Sequence, residues 1–200
     1  MNRSRALSTF LLLALLAALP TDASAHIVKG EAIGFVSGFL HPLSGLDHII
    51  AMVAVGLWGA QLGAPAIWLL PVTFPLVMAF GGFLGLIGVP LPGDEIGIAL
   101  SGLCLGAVVL LQAKPPLWVA ALLVGFFGLC HGYAHGHELP PGQNALLYSA
   151  GFVLATGLLH AAGITLGLAY RWTWGQYAVR GAGALILGGG AYFLWLAVAT

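Results

Sequence analysis

Hydrophobic residues run almost unbroken along this chain and are interrupted at intervals by short clusters of proline, glycine and charge. Six apolar runs follow one another at 33–58, 67–87, 96–111, 117–133, 145–170 and 177–198. A helix needs about 20 consecutive apolar residues to cross the hydrocarbon core of a bilayer, so the pattern predicts six transmembrane helices. The breaks carry turn chemistry: Gly63-Ala64-Pro65, Pro90 to Asp94, Lys114-Pro115-Pro116 and Pro140-Pro141-Gly142 all end helices. Trp58, Trp68, Trp118, Trp172 and Trp174 fall near run ends, where an amphipathic ring favours the membrane interface. The fold class expected is an all-α membrane protein.

The chain begins differently. Arg3 and Arg5 precede a short apolar stretch, and Ala23-Ser24-Ala25 supplies the small residues of a cleavage site, so 1–25 reads as a secretory signal peptide and 26–200 as the membrane domain. Cleavage there would make His26 the mature N-terminus, where an amine and an imidazole on one residue can chelate a metal.

Composition narrows the classes further. Only 6% of residues are charged and 60% are hydrophobic, against about 25% charged in soluble domains. The formal net charge is zero and there is no basic block, which gives nucleic acid no footprint. No nucleotide-binding loop is present. Cys104 and Cys130 both lie inside apolar runs and read as small buried residues. Glycine pairs such as Gly34/Gly38, Gly102/Gly106 and Gly163/Gly167 let helix backbones approach closely.

Against this background the ionisable residues inside the runs stand out, because each costs roughly 2.5–3.5 kcal/mol at membrane depth. The first run holds His41, Asp47 and His48. On a regular helix His41, Gly45 and His48 share one stripe about 10 Å long, and Pro42 should kink the helix and free the carbonyl of Gly38. The fourth run ends in His131, His135, His137 and Glu138, with His131, His135 and Glu138 on one face by steps of four and seven. His160 lies in the fifth run and Glu95 opens the third; with His26 and His137 they are secondary candidates for the pathway. Phe74 and Met52 are weaker ones. Rise along the helices arranges these groups as a ladder, with His135, His137, Glu138, Glu95 and His26 toward the outer mouth and Asp47 and His48 deeper, and a ladder favours passage over storage. His41, Asp47 and His48 also recur in spacing as His131, His137 and Glu138, so the six runs read as a 3+3 inverted repeat.

Orientation follows from the basic residues. With the signal delivering the mature N-terminus outside, Lys114, Arg171 and Arg180 fall inside, as the positive-inside rule asks, and both mature termini are periplasmic.

The stretches H-P-L-S-G-L-D-H at 41–48 and H-G-Y-A-H-G-H-E at 131–138 resemble those of the HupE/UreJ family of small membrane proteins associated with nickel supply to hydrogenase and urease. The resemblance spans the mature chain. It implies a nickel permease, with cobalt as another cargo, six helices after a cleaved signal, and functional residues His41, Asp47, His48, His131, His135 and Glu138. Cys130 and His137 depart from the family pattern, which carries an aromatic and a small residue there. The residues and the resemblance together make the expectation a bacterial inner-membrane permease for a divalent transition metal, most simply Ni²⁺, with Co²⁺ or Zn²⁺ as alternatives. It would be no enzyme and hold no permanent cofactor, its partners being lipid and the ion, with an oligomer open. Imidazole with carboxylate suits such ions and disfavours Cu⁺. Rival readings are a haem-binding accessory protein using paired histidines, and an intramembrane zinc hydrolase with Glu138 as base, against which stands the lack of an H-E-x-x-H helix.

Overall fold

The computed structural model describes residues 34–137, Leu139, Gly142 and 144–199. The expected signal segment 1–25, His26 and Glu138 therefore lie outside the described residues. Among the described residues seven α-helices follow in order: α1 Gly34–Ser44, α2 Leu46–Leu62, α3 Ala66–Leu86, α4 Asp94–Leu110, α5 Leu117–His137, α6 Ala145–Gly167 and, after a 3-10 turn at Leu168–Arg171, α7 Thr173–Ala199. No strand occurs among the described residues.

The helices begin and end where the sequence supplies stop signals. Asn144 caps α6, its side-chain oxygen accepting from the backbone N–H groups of Leu146 and Leu147 at 3.1 Å. Asp94 and Glu95 occupy the first turn of α4, the end of a helix that favours negative charge.

One expectation changes. The first apolar run is two helices, α1 and α2, bent by 82°. Pro42 is accommodated near the end of α1, and the chain leaves helical geometry three residues later, at Gly45, with φ −106° and ψ 119°. Among the described residues four helices, α3, α5, α6 and α7, are long and apolar enough to cross a bilayer, and the bent pair makes a fifth if it counts as one span. α4 has 17 residues, about 26 Å at 1.5 Å per residue, somewhat under the hydrocarbon thickness of about 30 Å.

Close glycine contacts show how the helices pair. Along α3 and α5 the contacts advance together, from Phe74 against Gly128 to Met78 against Gly132 and Gly82 against Gly136, so these two run parallel. Along α1 and α2, Gly38 meets Tyr148 and Gly56 meets His160 and Gly163, so the bent pair runs parallel to α6. Contacts between α4 and α7 run the opposite way, with Gly102 on Gly190 and Gly183 on Leu110. Trp58 and Gln61 near the end of α2 donate hydrogen bonds to Ala113 O at 2.9 Å and Val109 O at 3.0 Å, tying that end to the end of α4. Successive segments thus alternate in sense.

At Gly132 a side chain would strike the backbone carbonyl of Met78. Gly132→Val is therefore expected to separate α3 from α5. Overpacking of this kind costs about 1–3 kcal/mol or more, and loss of the monodisperse peak in size-exclusion chromatography of detergent-solubilised protein checks it.

The outer surface is apolar. Trp68, Leu76, Phe80, Leu122, Leu146 and Leu185 are all more than half exposed, which suits helices facing lipid. Trp68, Trp118, Trp172 and Trp174 are exposed near the end that also carries Lys114, Arg171 and Arg180, forming one aromatic and basic rim. Trp58 lies toward the same end but is fully buried, with its indole N–H donating to the Ala113 carbonyl.

A candidate metal site where three helices meet

The bend at Gly45 creates the site. α2 starts immediately after the break and lays its first turn, with Asp47 and His48, beside the last two turns of α5, which carry His131 and His135. α1 carries His41 to the same place. A Cβ at position 45 would stand 2.7 Å from Asp47 Oδ1 and 2.9 Å from His48 Nδ1, so only glycine lets the carboxylate and the ring fold back over the break.

His41, His48 and His135 each offer one ring nitrogen, and the three atoms lie within 4.8 Å of one another. Imidazole ligands held about 2.0–2.1 Å from a single ion stand about 3–4 Å apart, so the spacing matches that of a metal site with minor adjustment. His48 Nδ1–H donates to Asp47 Oδ1 at 2.7 Å, which leaves the lone pair on Nε2. The backbone N–H of His48 donates to the same oxygen at 2.9 Å. This carboxylate–imidazole arrangement is the one that orients metal-binding histidines and raises their basicity.

Nε2 of His48 faces Nε2 of His135 at 2.7 Å, and Nδ1 of His135 is buried without a partner. With the His135 proton on Nε2 the two rings share a hydrogen bond. With the proton on Nδ1, both lone pairs point at one spot. The His41 ring closes the third side, 4.6 Å from the His135 ring and 6.1 Å from the His48 ring between centroids. Phe152 and Tyr148 of α6 form the apolar wall, with the Phe152 ring 4.5 Å from that of His135. A cavity of about 270 Å³ between the end of α3, the end of α5 and the start of α6 reaches His135.

The structure brings together some expected residues and separates others. The 10 Å stripe expected for His41 and His48 does not exist, because the bend folds it into one level with His135. His131 lies against His48, with centroids 5.0 Å apart, and one turn along α5 from His135. His160 sits farther along the bundle, against Met52. His137 is exposed, with its ring stacked at 6.1 Å on Tyr133, and Glu95 is exposed at the start of α4. Cys130 packs against Gly97 and belongs to the α4–α5 contact.

Sequence reasoning missed Ser101, Tyr148 and Phe152. Ser101, a lone hydroxyl in an apolar run, carried a signal that could have been read, since its Oγ lies 3.0 Å from His131 Nε2. Phe152 carried none. Gly38 and Gly132 each press on the backbone of the neighbouring helix, and each stands three residues before a histidine of the cluster, His41 and His135.

A family model described as HupE / UreJ protein matches residues 13–193. The chain belongs to the HupE/UreJ family. A relative named Protein HupE, from Rhizobium leguminosarum bv. viciae, is 47% identical over 177 residues, covering 88% of this chain and 92% of the relative. No solved structure matches. Both expected motifs of this HupE/UreJ chain lie within the matched region, and the three converging histidines come from both of them.

Proposed function

We propose that this protein is a permease that carries Ni²⁺ across the bacterial inner membrane into the cytoplasm, supplying a hydrogenase or urease. The observation that carries the reading is the convergence of His41, His48 and His135 nitrogens within 4.8 Å, with Asp47 holding His48 from behind. On this reading the three imidazoles are ligands and Asp47 is a positioning residue. Such a site suits nickel, cobalt or zinc more than Ca²⁺ or Mg²⁺, which prefer oxygen. The HupE/UreJ association with nickel favours that ion.

Three neutral ligands leave coordination positions for water, and one nearby carboxylate compensates only part of a double charge. The site therefore binds without trapping, as transport requires. Outer carboxylates and histidines, Glu138, Glu95, His137 and His26, would gather the ion, the cluster would strip part of its hydration, and His131 would receive it next. A doubly charged ion moving inward gains about 4.6 kcal/mol per 100 mV of membrane potential, so no nucleotide is needed.

The reading includes six spans after a cleaved signal, with α4 completing the set and both mature termini periplasmic. Support comes from Lys114, Arg171 and Arg180 sharing one end of the bundle. It also includes a 3+3 inverted repeat. Exchanging the first three segments with the last three turns the α3–α5 pair into the pair that the bent helix makes with α6, and returns the α4–α7 pair to itself.

The test is radioactive nickel uptake by cells lacking their own nickel transporters. Cells expressing the chain should accumulate nickel well above the empty-vector control; accumulation at the control level would contradict the proposal. Because a protonated imidazole has no lone pair for a metal, uptake should fall once the medium is acidic enough to protonate the cluster. A rate that climbs steadily down to pH 5 would indicate proton coupling instead.

A further inference from the structure

Beyond the three-histidine cluster, buried polar atoms continue into the bundle. α2 places His48 at the cluster and Met52 one turn on; α6 places Phe152 at the cluster, Thr156 one turn on and His160 two turns on. His160 is 1% exposed. Its Nδ1 lies 2.7 Å from Met52 O. A carbonyl oxygen can only accept, so Nδ1 carries the proton, and the neutral ring has its lone pair on Nε2. That atom is buried and has no partner.

His131 reaches the same condition by another route. Ser101 Oγ–H donates to Ile98 O at 2.6 Å, so toward His131 it acts as acceptor, taking the Nε2–H at 3.0 Å. The lone pair of His131 is then on Nδ1, which is also buried and unpartnered. Between the two imidazoles stands the fully buried Phe74 ring, 5.4 Å from each centroid to centroid. The hydroxyl of Thr156, one turn from His160 on the same face of α6, is a further buried oxygen without a partner. Buried polar atoms normally find partners, and each unsatisfied one costs about 1–3 kcal/mol. Helix packing accounts for Nδ1 of His160 but not for Nε2.

We propose that His160 Nε2 is a second, inner ligand station for the permeating divalent ion, reached from His131 past the Phe74 ring. The proposal rests on the permease reading. An ion leaving the outer cluster would pass from one bare imidazole nitrogen to another, with Phe74 keeping the two stations separate so that water and smaller ions do not follow.

The full chain reconstituted in proteoliposomes decides this, with external NiCl₂ or CdCl₂ as the probe and metal binding measured in parallel on the same protein. His160→Asn keeps an N–H donor near the Nδ1 position for Met52 O and removes Nε2. It should lower nickel uptake about tenfold or more, while nickel affinity at the outer cluster stays within about twofold. Uptake equal to the intact chain, or loss of binding along with uptake, would overturn the proposal, the latter by showing a structural role. His160→Cys replaces imidazole with a softer ligand and should raise the cadmium-to-nickel uptake ratio about tenfold; an unchanged ratio overturns it as well. If the intact chain moves no nickel at all, it is the permease reading that fails.

Discussion

Replacing His48 by alanine is expected to abolish nickel uptake, the largest single-residue effect in this protein. His48 is the hinge of the site: one nitrogen is held by Asp47 at 2.7 Å and the other faces His135 at 2.7 Å. On the proposed reading its loss removes a ligand, and it leaves the Asp47 carboxylate without the ring it holds. Losses behind a metal ligand typically cost 10–100-fold in affinity. Loss of the ligand itself should exceed that, so uptake should fall by more than about a hundredfold at matched membrane expression. Asp47→Asn, which keeps an acceptor oxygen but not the charge, should fall within the 10–100-fold range. Equal and near-complete losses in both variants would mean that Asp47 binds the ion directly.

The second large effect belongs to a residue with no chemistry of its own. Gly45→Ala places a methyl group 2.7 Å from Asp47 Oδ1 and 2.9 Å from His48 Nδ1, distances at which something must shift. The backbone at Gly45 is extended, a conformation alanine adopts without strain, so folding should survive. The carboxylate–imidazole pair moves instead. Uptake should drop about tenfold or more, in the range of a lost supporting contact, with the thermal melting of the purified protein little changed. A melting temperature that collapses together with uptake would show that Gly45 serves packing alone.

Much of this was legible in the chain before any coordinates. The apolar runs marked the helices, because a membrane helix must satisfy its backbone internally and hide few polar groups. The histidines drew the eye to the place where His41, His48 and His135 converge, because imidazoles in an apolar run are costly without a use. The 82° bend was not legible. Pro42 drew attention as the kink, while Gly45, which breaks the helix, looked like one glycine among 30. Depth was misjudged for the same reason: His41 and His48, read along one straight helix, stood apart, whereas the bend brings both level with His135.

The pattern Gly-x-x-x-Gly-aromatic-x-His occurs at both 34–41 and 128–135 and is readable in the chain, whereas the spacing of ionisable groups alone pairs His41 with His131. Glycines that touch a neighbouring backbone fix helix register more firmly than side chains that could reach one another from several positions. Phe152 becomes informative only once its neighbours are known, since nothing in an aromatic ring announces a metal route.

Whether His41, His48 and His135 together hold the transported ion, as proposed, is decided by nickel K-edge X-ray absorption of the purified chain in lipid nanodiscs, loaded with one equivalent of NiCl₂, beside the His48→Ala variant. Bound nickel in the intact chain should show the outer-shell scattering of two or three imidazoles, with loss of imidazole scattering or of bound nickel in the variant. Nickel that binds without imidazole scattering, or that keeps the same spectrum in His48→Ala, would contradict the proposal.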